Sequence, residues 1–177
     1  MTRKNKSNQL SREYLFRAFV SLMQTERYSD INITAITAKA GVSRMAYYRN
    51  YSAKEDILTG YIDEVCAAIE HPLNDYLPIP KNAAEYMVLL FKRLSSDAFA
   101  YDYNLGLALS SAGLGDLFLE SLTGNLSAFL TKTGAEAVSD APLVAGAFYG
   151  MFMQWSRDGQ QGCVTDLCDA LSAFLTH

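Results

Sequence analysis

The sequence has few of the residues on which metal centres and disulfide frameworks depend. Its 177 residues include only three cysteines and two histidines: Cys66, Cys163, Cys168, His71 and His177. An odd number of widely spaced cysteines is not typical of a disulfide framework and favours a reducing compartment. Neither histidine lies beside a cysteine or carboxylate cluster with the spacing of zinc ligands. The sequence therefore predicts no metal site, no cofactor and no disulfide.

Long apolar runs and catalytic motifs are also missing. No stretch approaches the roughly 20 apolar residues needed to span a membrane, and no apolar run of a secretory signal follows the basic N-terminus. There is no glycine-rich phosphate loop between a strand and a helix, and no serine or cysteine has a recognisable histidine partner. We therefore expect a cytoplasmic protein that is neither an enzyme nor membrane-bound.

Basic residues are outnumbered overall but concentrated at one end of the chain. The formal net charge is −4. The first 60 residues hold ten lysines and arginines against five acids, a balance of +5, whereas the remaining residues hold five bases against fourteen acids, a balance of −9. A polyanion would bind the basic third and be repelled by the rest.

Helical periodicity and capping signals dominate the basic third. Apolar residues recur at intervals of three and four over residues 8–26, which predicts an amphipathic helix. Asn32 is placed to cap a second helix, and Gly41 is placed to end it in a left-handed conformation. Ser43 follows two residues later as the cap of a third helix, "RMAYYRNY". Two helices joined by a short glycine-containing turn form a helix-turn-helix.

The rest of the chain also reads as helical. Ser52 with Glu55 three residues later has the pattern of a capping box for a fourth helix. Residues 72–80 hold three of the four prolines and predict a loop. No convincing strand pairs appear in the sequence. Further helices are predicted over 83–94, 97–113, 116–134, 140–159 and 164–176.

Residues 10–58 resemble the N-terminal DNA-binding domain of the TetR/AcrR family of bacterial transcriptional regulators. In this comparison "ITAITAKAGVS" is the second helix and its turn, "RMAYYRNY" the recognition helix, and "SAKEDIL" the start of the fourth helix. The resemblance implies an all-α fold in which residues 1–56 form a helix-turn-helix DNA-binding domain with a flexible basic arm at 1–7. A shared fourth helix would lead into a helical-bundle regulatory and dimerisation domain over 57–177.

The helix-turn-helix interpretation assigns roles to individual side chains. The recognition helix enters the major groove with its N-terminus first, so Arg44 is predicted to contact a guanine and Met45 a thymine methyl group. The resemblance implies that Tyr48 contacts a phosphate, and Lys54 is placed to do so beside free backbone N–H groups. Further contacts are predicted for Asn50, Thr34, Ser43 and Asn32, although capping alone is a sufficient explanation for the last two.

Two tyrosines and one arginine of the small domain receive structural roles. Tyr47 and Tyr51 are predicted to lie in its core, with the Tyr47 hydroxyl reaching the edge. Arg27 stands where relatives usually end the first helix with glycine. A left-handed arginine is unfavourable, so we expect that turn to be built differently here.

One short recognition helix reads too few base pairs to be selective, so we expect a dimer. The last two predicted helices are the candidate interface of that dimer. Gly146 and Gly150 would permit close helix approach. The alternative, that the same apolar stripe closes the core of one chain, stays open. The predicted interface residues are Phe148, Phe152, Trp155, Leu167, Leu171 and Phe174.

The sequence thus predicts a dimeric repressor released from a palindromic DNA operator by a small-molecule effector. The alternative is a TetR-like activator or coactivator whose C-terminal domain binds a protein partner. Aromatic residues could line an effector cavity, although aromatic stripes are more often plain core. They are Tyr86, Phe91, Phe99, Tyr101, Tyr103, Phe118 and Tyr149.

Overall fold

A computed structural model of the chain describes residues 3–70, 79–97, 103–134 and 140–175. Within these ranges the backbone forms nine α-helices, one short 3-10 turn and no strand, which confirms the predicted all-α class. The 3-10 turn is Tyr28–Asp30. The helices are α1 Arg3–Met23, α2 Ile33–Ala40, α3 Arg44–Tyr48, α4 Asp56–Glu70, α5 Ala83–Ser96, α6 Leu105–Ala112, α7 Gly115–Thr133, α8 Ala141–Arg157 and α9 Val164–Leu175. None of the helices in the described part is long and apolar enough to cross a membrane.

The caps of α2 and α3 are those that the sequence predicts. The Asn32 side chain accepts a hydrogen bond from the Ala35 backbone N–H at 3.0 Å, and Gly41 ends α2 with φ +66°. The Ser43 hydroxyl accepts from the Ala46 backbone N–H at 3.1 Å. The geometry of the turn therefore follows from local side-chain chemistry.

Helix α1, Arg3–Met23, begins and ends earlier than the predicted range of residues 8–26. The helix begins at Arg3 rather than at Asn8, so residues 3–7 continue α1 instead of forming a separate arm. No proline or glycine interrupts this segment, and its lysine, asparagine and arginine residues are compatible with a helix. At the other end, Arg27 has φ −66° and ψ 138°, an extended conformation, and the 3-10 turn follows it. The chain thus avoids a left-handed arginine, as expected.

The caps of α4 and α6 are not those that the sequence predicts. Helix α4 begins at Asp56, and no capping box forms between Ser52 and Glu55. Instead the Asp56 carboxylate accepts hydrogen bonds from the backbone N–H groups of Ser52 at 2.7 Å and Ala53 at 2.9 Å. Apart from residue 97, the predicted helix 97–113 is described only from residue 103 onward, where Asn104 has φ +42° and caps α6, Leu105–Ala112, through its side chain; residues 98–102 lie outside the described residues.

The predicted dimer-interface residues lie mostly inside the single chain. Phe148, Phe152 and Trp155 on α8 and Leu171 on α9 are buried against the other helices. They pack on α5, where Phe91 makes edge or tilted ring contacts with each of these three aromatic residues of α8. A side chain buried in one chain cannot make an intersubunit contact, so the prediction is wrong for these four. Leu167 is half-buried, and the side chain of Phe174 lies outside the described residues.

The basic and acidic parts of the chain share one continuous hydrophobic core. Phe16 of α1 stacks on Tyr61 of α4 with ring centroids 3.7 Å apart. Beside this stack, Arg12 Nε lies 2.9 Å from Glu64 Oε1. Burial raises the pKa of Glu64, although Arg12 opposes the shift. Helix α4 therefore ties α1 to α5 and α7, against which it also packs.

Candidate nucleic-acid interface

Helix α3 is held against the small domain by one buried aromatic side chain. Tyr47 is fully buried, as is Ile36 of α2. The centroid of the Tyr47 ring lies 5.1 Å from the centroid of the Tyr48 ring and 5.9 Å from that of the Tyr51 ring. Because Tyr47 occupies the inward face of such a short helix, the neighbouring side chains Arg44 and Tyr48 point to solvent. The core position of Tyr47 is confirmed.

The solvent face of α3 carries the residues predicted to contact DNA. Met45 is 82% exposed and Tyr48 is 52% exposed, high values for such apolar side chains. Arg44 is exposed as well, and its Nη2 donates a hydrogen bond to the Tyr48 hydroxyl at 3.3 Å. The guanidinium carbon lies 5.9 Å from the centroid of the Tyr48 ring. Arg44 and Tyr48 thus form a cationic, aromatic surface one helical turn long.

Acidic side chains near α3 are engaged elsewhere. Asp56 accepts from two backbone N–H groups, as described above. Glu55 accepts a hydrogen bond from the Tyr28 hydroxyl. Burial, followed by this hydrogen bond, raises the pKa of Tyr28. Hydrogen bonds thus hold both carboxylates within the chain, whereas Arg44 and Arg49 are exposed.

A side-chain network that sequence reasoning missed links α1 to the end of α3. Asn8 Nδ2 donates to Asn50 Oδ1 at 2.8 Å, and Asn50 Nδ2 donates to Asn8 Oδ1 at 3.1 Å. Asn50 Nδ2 also donates to the Ala46 carbonyl at 2.8 Å, and Arg49 Nε donates to Asn8 Oδ1 at 3.1 Å. Both N–H groups of Asn50 are used within the chain, so it positions α3 and has none to offer a phosphate.

The Lys54 ammonium group is hydrogen-bonded to the backbone of its own chain, in addition to being a candidate phosphate contact. Its ammonium group donates to the backbone carbonyls of Tyr28 at 2.7 Å and Ile31 at 2.9 Å. It also lies 3.9 Å from the centroid of the Tyr28 ring. An ammonium group has three donors, so one remains for a phosphate. The predicted phosphate contact would therefore come from a side chain whose position the fold already determines.

The two core tyrosines differ in how their hydroxyl groups are satisfied. The Tyr51 hydroxyl accepts a hydrogen bond from Arg12 Nε at 3.3 Å. The Tyr47 hydroxyl is buried and has no hydrogen-bond partner among the described residues, so it does not reach the edge of the domain as predicted. Burial raises the pKa of Tyr47 to about 12. Burial also raises the pKa of Tyr51, while the bond from Arg12 opposes the shift.

The other predicted contacts lie at the starts of α2 and α3. Thr34, Asn32 and Ser43 are exposed. Ser43 caps α3 by accepting a hydrogen bond, which leaves its hydroxyl proton free to donate, and Asn32 likewise keeps its amide donors. Capping and phosphate binding are therefore compatible at both positions. Among the residues that the structure describes, no group of three or more histidine, cysteine, aspartate or glutamate side chains is arranged to hold a metal ion.

Comparison with known proteins gives a structural match over the whole chain. No protein-family model and no curated protein matches the sequence. The fold is similar to the crystal structure of a TetR transcriptional regulator from Streptococcus agalactiae 2603V. The match covers 97% of this chain and 96% of that one, with a TM-score of 0.57 and 19% sequence identity. The chain therefore has the fold of a TetR transcriptional regulator.

Proposed function

We propose that this protein is a sequence-specific DNA-binding transcriptional regulator that acts as a homodimer and has no catalytic activity. The observation that carries the proposal is the exposed Arg44–Tyr48 face of α3, held in place by buried Tyr47 and by the Asn8–Asn50 pair. A helix presented in this way fits the major groove. The relative of similar fold, named as a transcriptional regulator, supports the same assignment.

Each exposed side chain has a distinct role in this proposal. Arg44 has a planar donor pair suited to the O6 and N7 atoms of guanine, and Met45 offers an apolar surface for a thymine methyl group. Tyr48, Ser43 and Lys54 hold phosphates, and Asn32 and Thr34 add contacts from the start of α2. Asn50 acts indirectly by fixing the end of α3.

The outer face of α8 is our candidate for the dimer interface, in place of the buried aromatic residues. Leu143 on this face is 69% exposed. Gly146 and Gly150 follow on the same side of the helix, and a Cβ atom added to either would meet no atom within 4 Å. Small residues beside an exposed leucine allow a second helix to approach closely. The same helix would then close the core of its own chain with one face and bind the partner with the other.

Selection of bound sequences from random DNA by the purified protein tests the proposal. We expect enrichment of a palindrome, because a two-fold symmetric dimer reads two half-sites separated by about one helical turn, 34–36 Å, or more. A protein that enriches no sequence, or a single non-palindromic site, would contradict the proposal.

Sedimentation of two matched variants tests the interface separately. Leu143→Glu should sediment as a folded monomer, because a charge replaces the apolar contact at the centre of the proposed interface. Leu107→Glu is the control, since Leu107 is also an exposed leucine, at 48%, but lies on α6. If Leu143→Glu stays dimeric, the outer face of α8 is not the interface.

Regulation by a small-molecule effector is the mode of action that we propose for the larger part of the chain, with repression relieved when the effector binds. A ligand that binds one conformation better than another shifts the equilibrium between them by its difference in affinity. In this proposal the effector favours a conformation in which the two α3 helices no longer fit both half-sites.

A further inference from the structure

A cleft of about 660 Å³ opens where the small domain meets the larger part of the chain. Its lining includes Tyr14 and Arg17 of α1, Lys39 near the end of α2, Arg93 near the end of α5, and Tyr103. This volume is in the range of small-molecule sites, about 300–1,000 Å³. A second cleft of about 350 Å³ adjoins it and shares Arg17 and Arg93. The two clefts together follow one side of α1.

Positive charge converges on the larger cleft from three helices. Arg17, Lys39 and Arg93 line it, and among the described lining residues Asp97 is the one with a carboxylate. Arg17 forms an ion pair with Glu13 at 2.8 Å on its own helix, where both side chains are about half exposed and the pair contributes little. Neither Lys39 nor Arg93 has a side-chain hydrogen-bond or ion-pair partner within the described ranges.

The positive charge of Arg93 is unusual for its position in the chain. Arg93 is one of only five basic residues after position 60, in a part of the chain with a balance of −9. Like charges that line one cleft repel, and a bound anion reduces that cost. The cleft is therefore suited to an anionic ligand, since it adds Arg93 of the acidic part of the chain to Arg17 and Lys39 of the basic part.

Aromatic and small apolar side chains accompany the positive charges. Tyr14 is 49% exposed, and Tyr103 is half-buried with its backbone carbonyl accepting a hydrogen bond from Gln24. Ala18 and Ala40 supply further apolar lining. An aromatic ring of a ligand can stack on the face of a tyrosine. The arginine and lysine side chains of the cleft would then contact the charged end of the same ligand. The lining thus fits a molecule with one aromatic end and one anionic end.

The interior of the larger part offers less room for such a ligand. Phe91, Phe118, Phe148, Phe152 and Trp155 are all buried at 4% exposure or less. Neighbouring rings of this cluster lie 5.4–6.2 Å apart between centroids, in tilted, edge or stacked contact. A ligand entering there would have to displace packed rings, whereas the cleft is already open.

We propose that this cleft is a binding site for small aromatic carboxylates, whose carboxylate is held by Arg93 and Lys39 and whose ring lies against Tyr14 and Tyr103. Lys39 belongs to the helix-turn-helix and Arg93 to the larger part. A ligand bound to both fixes the angle between the two parts and hence the position of α3. This regulatory consequence depends on the DNA-binding function proposed above; the binding site does not.

The test measures ligand binding without DNA. Benzoate, phenylacetate and 1-naphthoate are each compared with their neutral carboxamides at constant ionic strength, by the thermal unfolding midpoint and by titration calorimetry. We expect at least one carboxylate to raise the midpoint in a concentration-dependent way, with its amide inactive. The double variant Lys39→Gln, Arg93→Gln should bind that carboxylate at least about 10-fold more weakly. Lys92→Gln, which alters the neighbouring position of α5, should bind as the parent does.

Three results would overturn the proposal. The first is binding of none of the carboxylates, and the second is equal binding by the double variant. The third is weaker DNA binding by the double variant without any ligand, since the two cations would then serve a phosphate. Because the calorimetric result is obtained without DNA, it fails or succeeds independently of the regulator assignment.

Discussion

Asn8 and Asn50 pair their side-chain amides across 42 positions of the sequence, with each donating to the other at 2.8 and 3.1 Å. The pair connects the first helix to the end of the recognition helix. It is reinforced by Arg49, which donates to the same Asn8 oxygen. The orientation of α3 therefore depends on a residue far from it in the chain.

Replacing Asn8 tests whether this pair positions α3. Asn8→Ala leaves the Asn50 amide without its partner, which we expect to lower the free energy of unfolding by about 1–2 kcal/mol. Affinity should fall more for cognate than for unrelated DNA, because a displaced α3 no longer aligns Arg44 with its base pair. Urea unfolding and fluorescence anisotropy measure the two effects. Gln9→Ala is the neighbouring control, and equal stability of the two variants would refute a positioning role for Asn8.

Lys54 should contribute to stability even without DNA. Its ammonium holds two carbonyls and lies over the Tyr28 ring. Lys54→Met keeps the aliphatic stem but removes all donors, and we expect it to cost about 2 kcal/mol in urea unfolding. Lys132→Met is the matched control, since Lys132 forms an ion pair with Glu70 at 3.4 Å at the surface. An anchor role is excluded if both variants unfold like the parent.

Removal of one hydroxyl should have opposite effects at the two core tyrosines. The Tyr47 hydroxyl is buried with no partner in the part of the chain that the structure describes, so Tyr47→Phe should stabilise the protein by about 1 kcal/mol. The Tyr51 hydroxyl accepts from Arg12, so Tyr51→Phe should destabilise it by a similar amount. Thermal and urea unfolding of the two variants show directly whether each is more or less stable than the parent. Destabilisation by Tyr47→Phe would show that its hydroxyl is hydrogen-bonded after all.

Cys66 should make the protein less stable at alkaline pH. Burial raises the pKa of its thiol from 9.0 to about 12. Between these values the unfolded chain has lost the proton and the folded chain still holds it, so stability falls as pH rises through this window. The slope contributed by one such group approaches about 1.4 kcal/mol per pH unit.

The variant Cys66→Ala should therefore show a shallower loss of stability than the parent between pH 9 and 10.5. Its stability at neutral pH also changes, so the comparison rests on the slope. Cys163→Ala, at an exposed cysteine, is the control for the removal of a thiol elsewhere in the chain. Identical slopes for Cys66→Ala and the parent would contradict the burial effect.

The sequence predicts features that depend on near neighbours. The caps at Asn32 and Ser43 and the left-handed Gly41 lie within three residues of the groups they satisfy, and all three are confirmed. The role of Asn104 as the cap of α6 was not predicted, because its left-handed conformation is linked to a contact across the fold. Its amide donates to the Ser156 carbonyl at 2.7 Å, 52 positions away.

The remaining misses have the same origin. Helical periodicity identifies the apolar stripe of α8 that contains Phe148 and Phe152 but does not say whether that stripe faces its own chain or a second one. Packing against Phe91 of α5 decides the question. The role of Asn8 cannot be predicted from its sequence neighbours either, because its partner Asn50 lies 42 positions away and contacts it only in the folded chain. The all-α class and the candidate DNA-binding face could be predicted from the sequence, because both depend on local patterns.

The contribution of Arg44 to base recognition is the central claim. Its direct test is the affinity of the parent and of Arg44→Ala for the selected operator and for every single-base substitution of it. We predict that Arg44→Ala loses about 1–3 kcal/mol of discrimination, roughly 5- to 150-fold, at one base pair of each half-site. Discrimination at the other positions should be unchanged. If Arg44→Ala discriminates among these sequences as the parent does, α3 does not read bases through Arg44.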